Sequence, residues 1–121
     1  MSQAEPEMQR IAEVAAAAAR AVPGVIRLQP GLVGLVKQIA AQAWQRGTGK
    51  PVVDVAGVDV DLHPEGSVRI DVRVVSALNH HATDVGADVH TAITAAVEAT
   101  TGEIPHVRVR IVEIDLEPHH L

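Results

Sequence analysis

The chain has 121 residues, 47% of them hydrophobic and 21% charged, with a formal net charge of −5 and no cysteine. That length suits one domain with a sizeable core, and the missing thiols exclude a disulfide framework, a thiolate nucleophile and a sulfur-ligated zinc site. The acidic balance and an aromatic content of 1% argue against nucleic acid, which needs cations for phosphates and rings for base stacking.

Residues 1–7 are polar, contain a proline and read as a flexible tail; MSQAEPEMQR has neither the basic nor the apolar region of a signal peptide. Met8, Ile11, Ala15, Ala18 and Val22 then recur at helical spacing, which predicts an amphipathic helix over 7–21. Its run Ala15 to Ala19 is small enough for close approach to a sheet, Pro23-Gly24 ends it, and Val25–Leu28 follows as a short strand.

Residues 30–51 read as an inserted amphipathic helix. Leu32, Val36 and Ile39 line one face with Trp44 at its edge, and Lys37, Arg46 and Lys50 make it basic in an acidic protein. Such a helix covers its own domain, packs against a partner or lies at a headgroup boundary, so Leu32, Val36, Lys37, Ile39, Trp44 and Arg46 are the candidate interaction residues.

Val53–Leu62 and Ser67–Val75 alternate apolar and charged residues around the turn sequence His63-Pro64-Glu65-Gly66, predicting a hairpin with one aliphatic face. The other face interleaves Asp59, Asp61 and Asp71 with Arg69 and Arg73, a pattern of solvated, mutually neutralised charge. Val85, Val89, Ile93 and Val97 repeat every four residues and Gly102 follows at a C-cap position, predicting a helix over 83–101. His106–Ile114 is a last strand. Its phase slips near Val112, since Val107, Val109 and Ile111 are odd-numbered and Ile114 and Leu116 even, which fits either a bulge there or the chain leaving the sheet. Residues 117–121 read as a second tail.

One polar sheet face leaves the other for the helices. The expected fold is therefore α+β: a two-layer sandwich with a small, mostly antiparallel sheet, helices on one face and the order α-β-α(insert)-β-β-α-β. A single domain spans 8–116.

Leu78 to His90, LNHHATDVGADVH, holds three histidines and two aspartates. His80, His81 and Asp84 are its candidate divalent-metal ligands. The buried valine stripe turns Asp88 and His90 outward, however, and a helix start capped by Asn79 or Thr83, with Asp84 at the positive end of the dipole, accounts for the same residues. Ser67 and Ser76 lack a nucleophile-elbow context and no glycine-rich phosphate loop is present, so neither enzymatic activity nor a cofactor is expected.

The segments IAEVAAAAARAVPGVIRL (11–28), GVDVDL (57–62), GSVRIDVRVV (66–75), DVGADVHTAITAAVEATTG (84–102) and VRVRIVEI (107–114) resemble, in order and spacing, the alkaline-shock, Gls-type envelope stress response family of bacteria. The resemblance implies a non-enzymatic cytoplasmic protein near the inner face of the cell membrane. It also implies a self-associating adaptor or homo-oligomer held there by a membrane-anchoring protein partner, without transmembrane insertion. The 30–51 segment is longer than the family's usual link, which makes it the candidate partner-binding element. A divalent-metal module built on the 80–90 cluster and a peripheral lipid binder using the 31–46 helix are the alternatives.

Overall fold

A computed structural model describes residues 4–30, 53–55, 57–63 and 65–116. Within them the order is α1 (Ala4–Arg20), β1 (Val25–Leu28), β2 (Val53–Val55), β3 (Val58–Leu62), β4 (Val68–Ala77), α2 (Ala82–Thr101) and β5 (His106–Asp115). Of the inserted helix expected over 30–51, all but Pro30 lies outside the described residues, as does the tail over 117–121.

Helix α1 takes in Ala4 to Glu7, which the polarity of that stretch assigned to a tail. Pro6 sits in its first turn, where a missing N–H costs no intrahelical bond. Met8, Ile11, Ala12, Ala15, Ala16 and Ala19 are buried on one side, while Glu7, Gln9, Arg10, Glu13 and Ala17 are exposed on the other. Four of those six buried residues are alanines, so the backbone of α1 comes close to what it covers, both the sheet and α2.

β4 is the hub of a five-stranded sheet. Along one flank β3 pairs antiparallel with its first half and β1 with its second, while β5 runs parallel along the other flank. The change of partner falls at Arg73: its N–H donates to Gly57 O at 3.2 Å, and its carbonyl accepts from Gln29 N–H at 3.0 Å. Among the described residues β2 pairs only with β3. The stretch 53–62 is therefore two strands rather than the one that alternation predicted. Gly57, at φ +96°, turns the chain between Val55 and Val58.

Both helices lie on the face made by Val58, Val60, Val68, Ile70, Val72 and Val74. Val85, Val89, Ile93 and Val97 of α2 are each at most 1% exposed, confirming the rotation set by their four-residue repeat. Each such side chain contributes about 1.5–3 kcal/mol of burial. Gly102 caps the helix in the left-handed region and donates its N–H to Glu98 O at 2.8 Å. The start differs from expectation: the N-cap is His81, without a side-chain cap bond, because Asn79 lies in the preceding turn and Thr83 already within the helix.

Two irregularities bracket β4 at one level. On the β5 side Ile111 pairs with Val74 and Glu113 with Val75, leaving Val112 as the extra residue that the phase slip anticipated. On the β1 side Val25 pairs with Ser76 and Arg27 with Val75, leaving Ile26 extra. Extra residues of this kind bend a strand and raise its local twist.

Candidate functional site

The candidate interaction residues Leu32, Val36, Lys37, Ile39, Trp44 and Arg46 lie outside the described residues. The remaining candidates occupy three regions of the surface.

The first is the entrance to α2. His80 Nδ1 lies 3.0 Å from Asn79 Oδ1, and its ring covers Gly24: a Cβ built there would stand 2.9 Å from His80 Cγ and 2.7 Å from Val85 Cγ2. His80 thus seals the junction between α1 and β1. His81 and Asp84 are exposed on the cap and first turn. His80, His81 and Asp84 do not converge as a ligand set, and among the described residues no group of three or more His, Cys, Asp or Glu side chains could hold a metal ion.

The second is the sheet face opposite the helices. Register sets Asp61, Arg69 and His106 in one row, Asp59, Asp71 and Arg108 in the next, and Arg73 beside Arg110 after that. The cross-strand pairs are Arg73 to Asp59 at 3.2 Å, Arg108 to Asp71 at 3.8 Å and Arg27 to Glu113 at 3.0 Å. Neutralisation across strands is as the alternating signs predicted. Uniform solvation is not: the Asp59 and Arg73 side chains are only 10% and 14% exposed. They sit where β1 and β3 meet against β4, and among the described residues Asp59 Oδ1 and Arg73 Nη1 have no hydrogen-bond partner. A period-two pattern tells which face a residue takes but not how crowded that face is, so nothing in the sequence marked this pair. Val75 is on the same face yet 0% exposed, because Arg27 and Glu113 flank it and their ion pair closes over it.

The third is the edge of β5. Among the described residues this strand pairs with β4 alone, on one of its two sides. Beside it runs a shallow, mainly apolar groove lined by Ala82, Gly86, Ala87, His90, Val109 and Ile111. Val112, Ile114 and Leu116 are exposed at the end of the same strand. Sequence reasoning had not singled out this edge, although the alternation of Val and Arg from 107 to 111 marks a strand with two distinct faces.

A family model matches residues 2–116, nearly the whole chain, and carries the description of a cell envelope-related function. The chain belongs to the alkaline shock protein 23 family. No curated protein and no solved structure matched it. Membership of the alkaline shock family gives the chain a role connected with the cell envelope, and the match runs through α1, the sheet and α2 alike. Among the described residues no helix is long and apolar enough to cross a membrane.

Proposed function

We propose that this chain is a non-enzymatic adaptor of the envelope stress response that associates with itself and is held at the inner face of the cytoplasmic membrane by a protein partner. The observation that carries this reading is the long outer edge of β5, which no other strand among the described residues covers, beside an apolar groove, in a member of an envelope-related family. Unpaired strand edges are templates for further chains, and apolar surface rimmed by polar residues favours protein contact. The net charge of −5 opposes direct attraction to anionic headgroups, which favours attachment through a partner over attachment to lipid. The basic segment around Lys37, Trp44 and Arg46 is the element assigned to that partner.

The test compares binding of the purified full chain to native envelope membranes, to the same membranes stripped of surface protein by protease, and to protein-free anionic vesicles. Binding to the first and loss from the other two is expected, and a folded variant lacking 31–49 is expected to lose it too. Equal binding to vesicles would replace the adaptor with a lipid binder, and failure to bind native membranes would overturn the proposal.

A further inference from the structure

We infer that the partner of the β5 edge is β5 of a second copy, paired antiparallel about a two-fold axis between Ile111 and Val112. This rests on the self-association proposed above and specifies its surface.

The inference starts from the extra residue. Before it, Arg108 and Arg110 stand beside Asp71 and Arg73 on the charged face, while Val107, Val109 and Ile111 pack towards the helices. After it, Glu113 and Asp115 stand beside Val75 and Ala77 on the charged face, and Ile114 stands beside Ser76. Val112 therefore shifts the alternation by one, so that even-numbered residues on its near side share a face with odd-numbered ones beyond it.

A strand of strict alternation cannot pair with itself about a point midway between two neighbours, because the residues set opposite each other would project to different faces. With Val112 inserted, that obstacle disappears. Around the 111/112 axis Arg110 faces the second copy's Glu113, and Arg108 faces its Asp115. On the helix side Val109 faces Ile114 and Val107 faces Leu116. Charge opposes charge on one face and apolar meets apolar on the other.

Arg110 supplies a second reason. Its neighbour on β4 is Arg73, a like charge, and it makes no ion pair among the described residues. Like charges directly opposite are unfavourable, and a carboxylate arriving from outside relieves them. The register supplies two such carboxylates per dimer, one on each side of the axis, each a Glu113 whose Oε2 already pairs with Arg27 at 3.0 Å, so that Arg110 adds a second cation to it.

Charges and bulges normally protect an edge from pairing. Here the positive half and the negative half of one strand lie on either side of the bulge, so parallel association sets arginine against arginine while antiparallel association is attractive. The same axis brings the two grooves together on the helix side, where Ala82, Gly86 and Ala87 leave room for close approach.

The test uses sedimentation velocity on the full chain and three variants. Wild type is expected to dimerise, and Arg110→Glu and Glu113→Arg each to lower the association constant at least about tenfold by setting like charges opposite. Mixing those two variants is expected to restore a one-to-one heterodimer, since each then meets its opposite at both positions; folding is checked by circular dichroism. The chain has no cysteine, so oxidation of V109C/I114C gives an independent reading, with a covalent dimer expected. Dimerisation unchanged in both charge variants, no recovery on mixing, or no covalent dimer would overturn this interface while leaving self-association standing. A wild type that stays monomeric at high concentration would overturn both.

Discussion

At the residue scale the Asp59–Arg73 pair is the most exacting feature. Its ions are 3.2 Å apart and largely out of water, each with one polar atom that has no partner among the described residues. Taking charges out of water costs more than a single ion pair returns, so losing one partner is worse than losing both. Asp59→Ala is expected to destabilise the fold by about 3 kcal/mol, because Arg73 is left buried and uncompensated. Asp59→Ala combined with Arg73→Met is expected to cost less than the single change. Urea unfolding of wild type, both singles and the double closes the cycle; additive losses would mean that the two side chains are not coupled. The exposed Arg108–Asp71 pair, 3.8 Å apart, offers a comparison in which removal of either partner changes little.

At the element scale the helices test how far a period reports an environment. Ala16 is 1% exposed in α1, whereas Ala17, one residue on, faces water. Ala16→Leu forces extra methylenes between α1 and its neighbours and is expected to cost about 2 kcal/mol, while Ala17→Leu stays within about 0.5 kcal/mol of wild type. Shifts in urea midpoint decide it, and equal shifts would mean that α1 is rotated from the orientation described. This rotation was legible in the sequence, as was that of α2, because Met8, Ile11 and Ala15, or Val85, Val89 and Ile93, repeat near the helical period. The slip at Val112 was legible for the same reason, two apolar phases meeting in one strand. What could not be read was adjacency. Alternation in 68–77 shows two faces, but not that β1 and β3 share one flank or that β5 runs parallel on the other, because neighbours are chosen by contacts distant in sequence. The turn at Gly57 was missed although the valines change phase across it, from Val53 and Val55 to Val58 and Val60, because the same valine and aspartate pattern resumes at once on its far side. At the entrance to α2, the ligand-rich look of His80 and His81 gave way to packing over Gly24 and a helix cap, roles that depend on a contact between distant segments.

At the scale of the whole molecule, the two ends of the sheet are unequal. β2 contributes three residues at one edge and β5 ten at the other, with apolar side chains continuing past it to Leu116. Association through β5 would therefore be coupled to folding, since a partner that binds only the folded chain adds to its stability by mass action. For a dimer of chains this size, each tenfold rise in protein concentration is expected to raise the Tm by about 3 °C, from typical unfolding enthalpies per residue. Arg110→Glu is expected to move the onset of this dependence to at least about tenfold higher concentration, while the Tm at concentrations where both chains are monomeric stays close to that of wild type, because Arg110 is exposed and bonds to no acid among the described residues. Calorimetric scans over a hundredfold range of concentration separate the two effects. An onset unchanged in Arg110→Glu would place the association elsewhere on the molecule, whereas a Tm lowered equally at every concentration would mean that Arg110 supports the fold of the single chain rather than the contact between two.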